Sequence, residues 1–280
     1  MFIALPVVVR LFVMSMIISV SAIYFNLMLN RHEVLFKSSY FPAFFYVLFS
    51  SGIPSFLSVH PLHFVNLMLL LALDQGYRYH RQDRPVGSLF NAGLLVGACC
   101  LLSLPLVPFL VFALFQLRVL RPASLRENLV LLTGLFLPFF YLAVIWFPDQ
   151  LTVKADWISR YISQYRWSIG LSPTLPFLLF ASLVGFIVLF SLLRLRSFYF
   201  KNIVRMRDFQ QVVVLLLFFG IIALFLFGAF QLHYLLVLVI PISVFSSYYF
   251  ISAKRFQWYY GGLFWLLLAV TIWNLFPVSW

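Results

Sequence analysis

Acidic side chains are scarce in this chain. There are seven Asp and Glu in 280 residues, against nineteen Lys and Arg. Charged residues of either sign make up 9%, where a soluble domain carries about 25%. A soluble protein of this length could not hide a 64% apolar composition in one core, but a lipid bilayer accommodates it. Cysteine is nearly absent as well. Cys99 and Cys100 are adjacent within an apolar run, which excludes a disulfide framework and reads as two small buried side chains. The chain has no CxxC pair, no His/Cys cluster with metal-ligand spacing and no Gly-rich phosphate loop. The first residues, MFIALPVVVR, have neither a charged leader region nor a small-residue cleavage site, so no cleaved signal is expected. The apolar runs are continuous and not alternating, which excludes a membrane β-barrel.

What is present is a series of apolar runs between breakers: 11–29, 41–58, 62–76, 87–104, 105–117, 128–147, 174–193, 211–230, 234–252 and 259–277. Several reach the roughly 20 residues that a helix needs to cross a bilayer. The expected fold is an all-α polytopic transmembrane helical bundle of nine or ten spans, a single integral membrane domain over residues 1–280. Runs 87–104 and 105–117 read as a tight hairpin turning at Pro105 and Pro108. The net charge of +12 does not indicate nucleic-acid binding. Thirteen of the nineteen basic residues fall in four short loops, 77–86, 118–127, 194–210 and 253–258, as the positive-inside rule places cytoplasmic loops. Segment 148–173 and the C-terminus are then expected outside, in the periplasm of a bacterial inner membrane. Within that segment, DWISRYISQYRW predicts an interfacial helix over 153–166, with Trp157, Tyr161 and Tyr165 on its lipid face.

The N-terminal 60 residues admit two parities. If 41–58 is a full span, then 29–40 lies inside and there are ten spans. If 41–58 only dips into the membrane, 29–40 lies outside and there are nine. Arg10 before the first run favours the dip, as do Pro42, Gly52 and Pro54 within 41–58 and the Ser/Gly/Pro-rich stretch SSGIPSFLS. Arg31, His32 and Lys37 favour the inside for 29–40.

Residues 89–142, LFNAGLLVGACCLLSLPLVPFLVFALFQLRVLRPASLRENLVLLTGLFLPFFYL, and 233–256, HYLLVLVIPISVFSSYYFISAKRF, resemble a multi-pass membrane family of Bacteroidota, a domain of unknown function. That resemblance implies an inner-membrane location and no particular activity. The hairpin GLLVGACCLLSLPLVPFLVFALFQLRVLR is also similar in architecture to the third and fourth spans of the GT-C membrane glycosyltransferases. This second resemblance implies a polyprenyl-phosphate-linked sugar as substrate and an acidic base in the first outer loop, where Glu33 would fall. The chain departs from that pattern: the pair at the expected position is His-Glu, not an Asp-Glu or Asp-x-Asp element.

Glu33 is the only acid before Asp74 and is the candidate catalytic base, since glycosyl transfer needs a carboxylate to take the acceptor proton. Arg31 and His32 are candidate phosphate-binding residues beside it. His60 and His63, three apart at a helix start, are further candidates for phosphate or substrate binding. With no third ligand near them they predict helix capping in preference to a metal site. No cofactor is expected, and a divalent metal enters only under the glycosyltransferase reading. Asp74 is expected to pair with Arg78. No span carries a line of ionisable residues, which argues against a proton-coupled pump or an ion channel. Three readings follow: a non-catalytic membrane subunit or scaffold in envelope glycan, lipid or secretion machinery; a GT-C-like glycosyltransferase using a polyprenyl-linked lipid on the outer face; and a lipid or small-molecule transporter. The expected partners are the lipid bilayer and other envelope membrane proteins.

Overall fold

The structure is a computed structural model that describes residues 7–58, 60–80, 86–122, 124–146, 174–198, 204–226, 232–252 and 257–275. The expected interfacial helix 153–166 lies outside the described residues, as do Asp149 and Asp156. Among the described residues there are ten α-helices and no strand. They are α1 (Val7–His32), α2 (Phe41–Ser51), α3 (Leu62–Tyr79), α4 (Val86–Leu102), α5 (Pro108–Leu120), α6 (Leu125–Trp146), α7 (Leu175–Phe198), α8 (Val204–Leu226), α9 (Val239–Ile251) and α10 (Gln257–Leu275). Short 3-10 helices precede α3, α5 and α9, at Pro54–Leu57, Leu104–Leu106 and Leu232–Leu238.

Six segments are long and apolar enough to cross a bilayer: Leu11–His32, Leu125–Val144, Leu175–Arg196, Met206–Phe225, Leu232–Ile251 and Trp258–Leu275. Shorter apolar helices run over Phe41–Ser51, Val86–Leu102 and Leu104–Leu120. The protein is a multi-pass helical membrane protein. Its exposed side chains agree, because Phe12, Phe136, Phe140, Leu189 and Trp265 all lie open on helix faces. That surface is costly in water and costs nothing against acyl chains.

The chain forms two compact units. The first comprises Met1–His63, Ser172–Val213 and Leu235–Trp280, and the second comprises Phe64–Leu171 and Val214–Tyr234.

In the second unit the closest helix pair is α4 with α6, and glycine is the reason. A Cβ on Gly97 would stand 2.4 Å from the Leu135 carbonyl oxygen, and one on Gly93 would stand 2.5 Å from that of Leu131. From the other side, a Cβ on Gly134 would stand 2.4 Å from the Phe90 carbonyl oxygen. Gly93 and Gly97 are four apart on one helix face, the small-xxx-small spacing that lets two membrane helices touch backbone to backbone. Helix α6 opens with a capping box. The Glu127 N–H donates to Ser124 Oγ at 3.3 Å, and the Ser124 N–H donates to Glu127 Oε2 at 2.9 Å. The expected hairpin is present, with the 3-10 turn at Leu104–Leu106 and Pro108 opening α5. Both cysteines are buried and free; Cys100 Sγ donates to the Leu106 carbonyl at 3.0 Å. Asp74, fully buried, pairs with Arg78 at 2.8 Å.

The first unit is held by side chains. On α1, residues Met14, Ile18, Ser21, Phe25, Met28 and His32 are all buried. They alternate three and four apart, which is one face of a helix. Phe25 meets Tyr46 of α2 at 5.5 Å between ring centroids. Phe45 of α2 stacks on Phe250 of α9 at 5.2 Å, and Phe44 meets Phe264 of α10 at 5.3 Å. These pairs fix the direction of each helix. The C-terminal ends of α1, α7 and α9 gather at one end of this unit with the N-terminal ends of α2, α8 and α10. There His32 meets Phe209 edge-on at 5.9 Å, Phe36 meets Tyr248 at 5.7 Å, and Gln210 Nε2 donates to the Val34 carbonyl at 3.4 Å. At the opposite end Asn274 Nδ2 donates to the Gly52 carbonyl at 2.7 Å, and Phe49 meets Phe180 at 6.2 Å.

Helix α2 therefore runs alongside α10, from Phe41 beside Phe250 to Gly52 beside Asn274. Each breaker has another use. Pro42 lies in the first turn of α2, where its missing N–H costs nothing, and Pro54 likewise opens a 3-10 helix. At Gly52, where the helix breaks, the carbonyl is capped by Asn274 from α10. Gly52 itself leaves room for Phe180 and Thr271, whose carbons would stand 3.1 and 3.3 Å from a Cβ there. The eleven residues of α2 cover roughly 16 Å, about half of a bilayer's hydrocarbon core.

Candidate functional site

The three-residue group Arg31, His32 and Glu33 closes α1, and the helix end separates its members. His32 continues the buried stripe of α1 and is 1% exposed, while Arg31 and Glu33 are exposed. The stripe was legible in the sequence: counting from Met14 in steps of three and four lands on His32. The imidazole packs edge-on against Phe209 of α8.

Glu33 has φ of 54° and is the non-glycine residue of left-handed backbone among the described residues. The reason is local. The Val34 N–H donates to the Leu29 carbonyl at 3.1 Å and the Glu33 N–H donates to the Asn30 carbonyl at 3.3 Å. These are the two bonds of a Schellman cap, with Glu33 at the position that usually holds glycine. A side chain there costs about 1 kcal/mol relative to glycine.

His60 and His63 organise the start of α3. His60 Nδ1 accepts the Leu62 N–H at 3.3 Å, and the His60 carbonyl accepts the His63 N–H at 3.2 Å. His63 Nε2 donates to the Phe56 carbonyl at 2.7 Å, and its ring is 3% exposed. That bond places the proton on Nε2. The pair caps a helix and ties it to the preceding 3-10 turn. Among the described residues no group of three or more His, Cys, Asp or Glu gathers into a metal-binding arrangement.

A second constellation lies in the first unit and had no sequence signal, because Arg194 is 58 and 66 residues from its partners Ser252 and Tyr260. Arg194, near the end of α7, donates from Nη1 to the Tyr260 hydroxyl at 2.6 Å and from Nη2 to the Ser252 carbonyl at 2.5 Å. Its Cζ is 5.9 Å from the Tyr260 ring centroid, the outer limit of a cation–π contact. Beside it opens a cavity of about 620 Å³. Phe190 and Leu193 of α7, Tyr249 of α9, and Trp258 and Tyr259 of α10 complete its lining. Tyr249 and Tyr260 meet at 5.0 Å, which closes the inner wall, and Trp258 is 77% exposed at the rim.

No family model, no curated protein and no solved structure matches this chain.

Proposed function

We propose that the chain is a non-catalytic membrane subunit, a scaffold that holds partner proteins together in the inner membrane of a bacterial envelope. The observation that carries this reading is the position and use of Glu33. It ends a helix in a Schellman cap, at the same end of the first unit as Arg194, His32 and the start of α8. The positive-inside rule assigns that basic end to the cytoplasm. Chain connectivity then gives ten crossings, with residues 33–40 inside. A transferase drawing sugar from a polyprenyl carrier on the outer face needs its base on the opposite side. On that orientation the glycosyltransferase reading has its carboxylate on the cytoplasmic side, which favours the scaffold.

The test uses Glu33 twice. A single cysteine at position 33, with Cys99 and Cys100 replaced, is expected to react with a membrane-impermeant thiol reagent only after cell lysis, matching a cysteine at Arg196. Glu33→Gln is expected to complement a deletion strain fully. Labelling in intact cells together with loss of complementation would overturn the scaffold reading and restore the glycosyltransferase.

A further inference from the structure

We propose that the outer face of α10 is the interface of a parallel two-fold dimer of this chain. Along that face run Trp258, Gly262, Trp265, Ala269 and Ile272, all exposed and alternately four and three apart. This is the spacing of a heptad seam, in which each helix sets its side chains between those of the other. Small and large positions alternate along it, so Gly262 and Ala269 leave the room that the indoles and Ile272 of a second copy fill. A Cβ on Gly262 would meet nothing within 4 Å. The outward face of α1 differs in kind, since Phe12, Met16, Val20, Ile23 and Leu27 present the plain apolar surface that acyl chains cover.

Trp265 is the residue that lipid does not satisfy. It is 70% exposed. It follows Trp258 by seven residues, roughly 10 Å, and precedes Leu275 by ten, roughly 15 Å. That places it within the hydrocarbon, away from the headgroup levels where tryptophan is enriched. Its ring meets Phe264 at 6.2 Å between centroids. Among the described residues no acceptor meets its indole N–H. The ring loses nothing against acyl chains, but the N–H finds no acceptor there and needs one from a protein. A helical side chain leans over the turn N-terminal to its own Cα, so the indole lies level with Gly261 and Gly262. Two copies inserted the same way round bring that level face to face. The bare glycine backbone of the second copy then presents its carbonyls to the indole. The area agrees. Trp258, Tyr259, Trp265, Leu266, Ile272 and Trp273 leave roughly 700 Å² open, near the roughly 800 Å² that each partner gives a stable interface.

The dimer does not rest on the scaffold reading, because the two copies pair in the same way whichever side of the membrane holds Glu33. The test is energy transfer between donor- and acceptor-labelled copies of the full-length protein in phosphatidylcholine liposomes. Each copy is labelled at Arg196→Cys with Cys99 and Cys100 replaced, and the protein is diluted with increasing lipid. The wild type is expected to keep its transfer as lipid is added, and to show the mass of two chains by light scattering in mild detergent. Gly262→Ile is expected to weaken association at least tenfold. Its Cβ meets nothing in its own chain, so the variant should fold and the loss must come from a neighbour outside it. Trp265→Leu keeps an apolar side chain, removes the N–H and is expected to weaken association several-fold. Size-exclusion profile and helical circular dichroism establish that both variants are folded. A wild type that is monomeric at every dilution overturns the proposal and gives the face to lipid or to a different protein. A dimer that both folded variants leave intact also overturns it, by placing the interface on another helix.

Discussion

The two units solve the same problem by opposite means. In the second, α4 and α6 meet through missing side chains at Gly93, Gly97 and Gly134, so that backbone rests on backbone. In the first, large rings make the contact: Phe45 alone lies within stacking or edge-on range of Phe41, Phe49, Phe250 and Phe264. Lipid tails are as apolar as leucine, so burying apolar surface does little to drive helices together in a membrane. What remains is contact quality, and it is obtained either by close approach of small residues or by the interlocking of large ones. The difference sets how each unit should tolerate change. Backbone contacts cannot yield to an added side chain, whereas ring contacts can relax in part when one ring is trimmed.

Gly97→Leu should be the most damaging single change. Its first side-chain carbon would already stand 2.4 Å from the Leu135 carbonyl oxygen, with nothing flexible to move. The expected outcome is loss of monodisperse protein on size exclusion, equivalent to roughly 3 kcal/mol or more; a well-folded variant would show that the α4–α6 approach is not as close as described. Next is Asn274→Leu in the first unit. It removes the side-chain amide that caps the Gly52 carbonyl at the break between α2 and the 3-10 turn. A buried carbonyl left without its donor costs about 1–3 kcal/mol, to be read as a lower midpoint in reversible unfolding in mixed micelles. Asn274→Gln, which keeps the donor at a different reach, should recover part of it. Smallest, and opposite in sign, is Glu33→Gly. It relieves the left-handed backbone at the α1 cap and should stabilise the first unit by about 1 kcal/mol. No gain would mean that the Glu33 side chain makes a compensating interaction, which would reopen its functional reading.

How far the candidate site could be read in advance varied with how local the physics was. The capping role of His60 and His63 was legible, because Pro61 and a following apolar run mark a helix start within a few residues. The pairing of Asp74 with Arg78 was legible as an i, i+4 pair on a helix. The burial of His32 was legible from the three-and-four spacing of the α1 stripe, whereas its edge-on partner Phe209 lies too far along the chain to be read from it. Segment 41–58 was the hardest. Pro42, Gly52 and Pro54 were legible as breakers, but the amide that caps the Gly52 carbonyl comes from Asn274, 222 residues away in sequence.

Composition and run length alone determined that this chain is a multi-pass bundle of helices. With 9% charged residues and apolar runs near membrane thickness, lipid is the solvent those side chains require. Tertiary structure alone decided which glycines bring helices into backbone contact, which end of the first unit holds Glu33, and that Arg194 shares a cavity with Tyr249 and Tyr260. The reason is that hydrophobicity and helix periodicity act over a few residues and are written locally. Antiparallel register, capping across a break, and the convergence of side chains from distant helices exist only once the helices have packed.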